Sequence, residues 1–198
     1  MKRLIYPLIV VLAVYLSSCQ KDLTVTPETK TPTTTAITPT PPLTQGNSAN
    51  SDTAVNINGF IKIELKKDTF NTDNIVIAFK PGTSASYVPG EDAPHMQGFG
   101  AESLSSISSN NISLAVNVLP LKEWGDTIKL NVIGKTDAIY KLSLIQRDSV
   151  PSKYHIWLMD GFKKDSLDLS NHCTYAFNIY NADTASFGKN RFRVIIRK

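Results

Sequence analysis

The feature that most constrains the fold is a period of two in the apolar residues from position 55 onward. In the segment 112–118, apolar side chains alternate with Ser113, Ala115 and Asn117. A strand with this pattern has one buried face and one solvated face. The segments that share the period are 55–65, 112–118, 128–132, 140–144, 173–179 and 192–196. The chain is therefore predicted to be all-β.

Turn-forming pairs such as Pro81-Gly82, Asn110-Asn111 and Asp160-Gly161 separate these segments. No segment shows the 3.6-residue period of an amphipathic helix. Short strands at this spacing predict an antiparallel β-sandwich, jelly-roll or immunoglobulin-like, of about eight to ten strands over residues 55–198. A length of about 140 residues is enough for one hydrophobic core.

The N-terminus has the organisation of a secretory signal peptide over residues 1–18. Lys2 and Arg3 form a positive n-region, and the apolar run Leu4–Leu16 follows. This run is shorter than the roughly 20 apolar residues of a membrane-spanning helix. A short buried N-terminal helix is the structural alternative.

Leu16-Ser17-Ser18-Cys19 closes this segment and resembles the lipobox of bacterial lipoproteins. The resemblance implies cleavage before Cys19, a diacylglyceryl group on its thiol and a further acyl chain, such as palmitate, on its freed amine. Two or three acyl chains anchor a protein durably in a membrane, whereas one does not. Lys21-Asp22 resembles the surface-export signal of Bacteroidota lipoproteins, which implies the outer face of the outer membrane. The periplasmic face is the alternative.

Residues 19–54 are predicted to be the lipidated cysteine followed by a disordered tether. The stretch Thr24–Thr44 consists mostly of threonine and proline, which bury too little apolar surface to offset the entropy of ordering. Proline favours extended, polyproline-II-like conformations. We expect this segment to hold the folded domain away from the membrane.

The folded part shows a second resemblance. The motifs that carry it are Ile75-Val76-Ile77-Ala78-Phe79, Asp92-Ala93, Asn117, Leu119-Pro120, Tyr154-His155-Ile156-Trp157-Leu158-Met159-Asp160, Tyr175-Ala176-Phe177 and Arg191-Phe192. They resemble a β-sandwich module of large secreted and surface proteins of Bacteroidota, which often precedes a type 9 secretion sorting domain. The resemblance implies a structural or interaction role without catalysis. The module's opening loop usually has an aromatic–aspartate pair, which the segment Tyr87–Asp92 lacks.

Composition excludes several functional classes. The net charge is +4, and without Lys2 and Arg3 the 21 basic residues become 19 against 17 acidic ones, a charge of +2. This is too little for a nucleic-acid-binding protein. Two cysteines and three histidines do not predict a disulfide scaffold or a metal site, and we expect no cofactor. Without a G-x-S-x-G elbow, the chain is predicted not to be an enzyme.

The candidate ligand-binding residues are Tyr87, Glu91, Asp92, His95 and Trp124. His95 lies close to two acidic residues in a long loop, where functional side chains are common. Tyr87 and Trp124 could stack on a sugar ring. The alternatives are a solvated loop for His95 and a core-capping role for Trp124.

Basic residues accumulate at the C-terminus, at Lys189, Arg191, Arg193, Arg197 and Lys198. We interpret Arg191, Arg193 and Arg197 as one charged face that protects an edge strand against unwanted pairing. A polyanion-binding patch is the alternative.

Five short motifs resemble the O-glycosylation acceptor of Bacteroidota, in which aspartate precedes serine or threonine and a small or apolar residue follows. The candidate acceptors are Thr53, Thr127, Ser149, Ser166 and Thr184. Asp-Ser and Asp-Thr are also ordinary turn sequences.

Together these features predict a lipid-anchored, surface-displayed, non-enzymatic module for binding, adhesion or scaffolding. Its expected partners are outer-membrane lipid, through acylated Cys19, and a surface protein or a glycan, but not nucleic acid. One alternative is a periplasm-facing structural lipoprotein of an outer-membrane complex. Another is a carbohydrate-binding or hydrolase-associated accessory protein.

Overall fold

A computed structural model describes residues 55–98 and 100–198. The predicted signal peptide, Cys19, the tether and the candidate acceptor Thr53 lie outside the described residues.

The described part of the chain is all-β, as predicted. The strands are β1 Gly59–Lys66, β2 Thr72–Phe79, β3 Ala93–Pro94, β4 Glu102–Ile107, β5 Ser113–Leu119, β6 Asp126–Gly134, β7 Ala138–Asp148, β8 His155–Asp160, β9 Asp165–Asp168, β10 Thr174–Ile179 and β11 Gly188–Arg197. A 3-10 turn at Thr184–Ser186 precedes β11. Among these residues no helix has the length and apolar character needed to cross a membrane.

The strands are hydrogen-bonded in the order β10-β7-β1-β2-β5-β4-β6-β11-β8-β9, and β3 pairs with β5. The β2–β5 pair is parallel and the other pairs are antiparallel. The sheet thus has one parallel pair and eleven strands, against a predicted antiparallel set of eight to ten. β3 and β4 form the crossover that a parallel pair requires, and two-residue β3 is too short to show a period.

The inward positions of the strands form one hydrophobic core. Its largest fully buried side chains include Phe79, Tyr140, Tyr154, Phe177 and Phe192. Phe192 of β11 packs edge-on against Phe177 of β10, with ring centroids 4.6 Å apart. Because β10 begins the strand order and β11 lies near its other end, the sheet must curl over to bring these rings together. The core is enclosed by that curvature.

A buried ion pair reinforces this closure. The Arg191 guanidinium donates to both carboxylate oxygens of Asp160, Nε to Oδ1 at 3.1 Å and Nη2 to Oδ2 at 2.8 Å. Arg191 Nη1 also donates to the carbonyl oxygens of Asn178 and Ser186. Arg191 therefore joins β11 to β8, to β10 and to the 3-10 turn.

The interpretation of the C-terminal arginines as edge protection is wrong. β11 lies inside the sheet, between β6 and β8. A register shift between Gly188 and Phe192 turns both Arg191 and Phe192 inward, and Arg191 is only 2% exposed. Arg193 and Arg197 remain on the solvated face.

Candidate binding site

Asp92 fastens its loop to the sheet. Its Oδ2 accepts a hydrogen bond from the Val88 amide and its Oδ1 one from the Val118 amide of β5, both at 2.7 Å. The residue is buried. Its neighbour Glu91 forms an ion pair with Lys80 at 2.9 Å. The two predicted acidic ligand-binding residues are thus engaged within the loop and its surroundings.

His95 follows β3 and contacts Asp73 of β2, Nε2 to Oδ2 at 3.2 Å. The same oxygen accepts a hydrogen bond from the Leu104 amide of β4 at 2.7 Å. The His95 side chain is 10% exposed, so the solvated-loop alternative does not describe it. This pair ties the loop to β2 and β4. Sequence reasoning missed Asp73 because only the sheet brings together residues 22 positions apart.

The two predicted aromatic residues differ in exposure. Tyr87 is half-buried, and its amide donates to Asn110 Oδ1 at 3.1 Å. Trp124 is 75% exposed, so the core-capping alternative does not apply to it. Lys198 Nζ lies 5.7 Å from the centre of the Trp124 ring and 3.1 Å from Glu123 Oε1.

A second histidine–aspartate pair joins β8 to the last residue of β9. His155 Nδ1 lies 2.8 Å from Asp168 Oδ2, and Asp168 also accepts hydrogen bonds from the Ser170 amide and the Asn171 side chain. Burial acts to raise the pKa of Asp168, but the hydrogen bonds from His155 and Ser170 lower it below its ordinary value. Asp168 is therefore a charged residue that holds β8, the end of β9 and the following turn together.

No group of three or more His, Cys, Asp or Glu residues within 55–98 and 100–198 is arranged to hold a metal ion.

A cleft of about 440 Å³, lined by both polar and apolar side chains, opens between the β4–β5 turn and the start of β6. We call it the β6 cleft. Its polar lining consists of Ser108, Ser109, Asn111, Asn117, Lys122, Asp126, Thr127 and Lys129. A volume of this size is typical of a small-ligand site, and hydroxyl and amide groups can bind a polyhydroxylated molecule.

Beside the cleft lies a solvated face of the sheet, which we call the outer basic face. It consists of Lys129 of β6, Arg193, Ile195 and Arg197 of β11, and Trp157 and Met159 of β8. Arg193 pairs in register with Lys129 on one side and Met159 on the other. Because Val194 and Ile196 are fully buried, the alternating Arg193 and Arg197 project outward. Lys129 belongs to both surfaces and connects them.

Charge on the outer basic face is unbalanced. Neither Lys129 nor Arg193 has an ion-pair partner in the part of the chain that the structure describes. The Arg197 guanidinium lies 4.8 Å from the centre of the Trp157 ring. Asp168 pairs in register with Trp157 at the border of the face. Its carboxylate already contacts the His155 ring. The surface is therefore cationic.

Sequence reasoning recognised Arg193 and Arg197 but not Lys129, Trp157 or the cleft. Each of these residues lies at an outward position of a correctly predicted strand. The available signal was a basic or aromatic residue at the solvated positions of three strands. Strand order, which places those strands side by side, is not encoded in any local pattern.

The described glycosylation candidates Thr127, Ser149, Ser166 and Thr184 are all exposed. They lie at the ends of β6, β7 and β9 and in the 3-10 turn. Their modification stays a prediction.

The chain matches no protein-family model, no curated protein and no solved structure. What the molecule offers for function is its own geometry, above all the β6 cleft and the outer basic face.

Proposed function

We propose that this protein is a lipid-anchored, cell-surface module that binds or scaffolds an extracellular partner without catalysing a reaction. The feature that carries the proposal is the sequence Leu16-Ser17-Ser18-Cys19 behind a positive n-region and a short apolar run. The resemblance to Bacteroidota surface lipoproteins is part of this proposal.

The hydrogen bonds that the aspartates near His95 already make support a binding role over catalysis. Asp73 and Asp92 both accept hydrogen bonds from backbone amides, so each of them links separate segments of the sheet. A general base must lie within hydrogen-bond reach of the proton it abstracts, and the His95 side chain is only 10% exposed. Exposed polar side chains, among them Thr127 and Lys129 of the β6 cleft and Arg193 of the outer basic face, can bind a partner.

Mass spectrometry of the full chain extracted from membranes tests the anchor. We expect an N-terminal peptide that begins at Cys19 and carries a diacylglyceryl thioether and an amide-linked acyl chain. A Cys19→Ser variant should lose this modification and remain uncleaved. A thioether at Cys19 and a disulfide between Cys19 and Cys173 exclude each other. A Cys19–Cys173 disulfide, or an intact N-terminus starting at Met1, would therefore contradict the proposal.

Protease treatment of intact cells tests the orientation. We expect the domain to be lost from intact cells, because a surface-displayed domain is accessible to the protease. A periplasmic protein followed in the same cells is the control, and it should stay intact. Protection of the domain until the outer membrane is permeabilised would support the alternative of a periplasm-facing structural lipoprotein.

A further inference from the structure

We propose that the outer basic face and the β6 cleft together bind an acidic polysaccharide, a polymer whose sugar rings carry carboxylate groups. This inference rests on the proposed binding function but not on the lipid anchor.

Charge is the first argument. Lys129 and Arg193 are cross-strand neighbours, so their Cβ atoms lie about 5 Å apart. Two cations this close repel each other, and without an ion-pair partner among the described residues they attract a carboxylate from outside. The planar guanidinium of arginine matches the two oxygens of a carboxylate.

Spacing is the second argument. Arg193 and Arg197 project from the same face of β11, four residues apart, which corresponds to about 13 Å along the strand. A small anion can contact only one of these positions at a time. A polymer with repeated carboxylates can contact both, and the repeated contacts raise its overall affinity.

The β6 cleft is the third argument, because it continues the basic face. Lys129 and Thr127 line the cleft and also belong to the outward row of β6. Beyond them are the exposed hydroxyl of Ser109 and the exposed amide of Asn111, and Asp126 adds one carboxylate to the lining. Sugar hydroxyls need such donors and acceptors, whereas a purely electrostatic surface does not require them.

The arrangement of the apolar residues favours a polysaccharide over a lipid surface. Insertion into a membrane interface requires apolar side chains that protrude from the protein. Here Arg197 lies against the Trp157 ring, and Ile195 is half-buried between neighbouring strands. Met159, at 40%, is the most exposed apolar side chain of the outer basic face. These side chains protrude little, and together they form a flat apolar surface that can contact the C–H groups of sugars.

Affinity electrophoresis of the full chain in detergent tests the inference. The probes are polygalacturonate, neutral dextran, double-stranded DNA and mixed detergent micelles that contain either anionic or neutral phospholipid. We expect retardation by polygalacturonate that weakens as salt rises, and none by dextran, because exposed charge pairs are screened. The double variant Arg193→Gln/Arg197→Gln should weaken binding about tenfold or more.

The matched control is Lys66→Gln/Lys141→Gln, which removes the same charge. These two lysines pair across β1 and β7, on a surface that also contains Glu64 and Asp68. We expect this variant to bind polygalacturonate like the unmodified protein. Equal losses in both double variants would show that only net charge matters and would overturn the inference.

Three other outcomes would also overturn the inference. The first is no binding to polygalacturonate, and the second is DNA binding of equal strength. The third is stronger binding to anionic micelles, after the binding to neutral micelles has been subtracted. None of these outcomes bears on Cys19 acylation or on accessibility at the cell surface. Failure of the polysaccharide inference is therefore distinguishable from failure of the proposed function.

Discussion

Arg191 and Asp160 are two charged side chains inside an apolar core, and neither is exposed. Burial acts to raise the pKa of Asp160, but the hydrogen bonds and charge of Arg191 lower it below its ordinary value. The guanidinium also lies against the rings of Phe177 and Phe192, with centroid distances of 4.7 Å. Charge pairing, backbone carbonyls and aromatic faces together offset the cost of removing Arg191 from water.

The substitution Arg191→Met should lower the free energy of unfolding by about 3–5 kcal/mol, because it leaves Asp160 buried without its counter-charge. Urea unfolding measures this change. Arg193→Met is the matched control, and it should change stability by no more than about 0.5 kcal/mol because Arg193 is exposed. Similar effects of the two substitutions would contradict the structural role of Arg191.

Tyr175 reports on the same cluster through its ionisation. Burial, the negative charge of Asp160 and a hydrogen bond to Asp160 Oδ2 at 3.2 Å raise the pKa of the Tyr175 hydroxyl well above its ordinary value of 10. The folded state therefore holds this proton more tightly than the unfolded chain does. The resulting stability is fully present below about pH 10 and is lost as the pH rises above that value.

In an alkaline absorbance titration, Tyr175 should therefore stay protonated after the exposed tyrosines have ionised, until the protein unfolds. Tyr175→Phe should remove this late-titrating group and leave the titration of the others unchanged. Ionisation of Tyr175 together with exposed tyrosines would contradict the predicted direction of its pKa.

At the scale of single elements, the turn before β6 depends on close backbone packing. Gly125 has a φ of +114°, and a Cβ at this position would overlap the Ile196 carbonyl of β11. Gly82 is a useful comparison because it also has a positive φ, of +78°, but no atom lies within 4 Å of its added Cβ.

Gly125→Ala should therefore destabilise the protein by clearly more than Gly82→Ala, measured by thermal or urea unfolding. For Gly82→Ala we expect a loss of about 1 kcal/mol from backbone strain alone. Gly125→Ala adds the displacement of β11 from β6. Equal losses would mean that the turn can move away from β11 without cost.

The strands were predictable because a half-buried strand requires apolar and polar residues to alternate along its own sequence. The alternate apolar residues of the segment 128–132 face the core from β6, and those of 192–196 face it from β11. The bulge that turns Arg191 inward was not predictable, because it breaks the period at one position only. The parallel β2–β5 pair was missed for a similar reason, since pairing is decided by distant residues.

At the scale of the whole molecule, the core formed by the described residues has its N-terminal margin at Val55 and Ile57. Val55 and Ile57 pack against its margin, and the Val55 amide donates to the Leu121 carbonyl at 2.9 Å. A chain shortened to begin at Val55 should therefore unfold at the same urea concentration as the full chain. A chain that begins at Gly59 should lose about 1–3 kcal/mol of stability because it lacks both apolar side chains. A lower stability of the chain beginning at Val55 would contradict this prediction.

The candidate site was less predictable than the fold. Tyr87, Glu91, Asp92 and His95 are neighbours in sequence, and in the structure Glu91, Asp92 and His95 each serve local packing or pairing. The outer basic face consists instead of residues from β6, β8 and β11. A binding surface on a sheet is spread over strands that are distant in the chain, so no single sequence window contains it.

The position of β11 has a consequence for how the protein is made. This strand is synthesised after β6 and β8, yet it lies between them and provides Phe192 to the core. A chain that emerges N-terminus first from a ribosome, or from a translocation pore, cannot complete its sheet until residue 197 is free. The edges of β6 and β8 stay open until then, and a chaperone that binds extended segments has its opportunity during that interval.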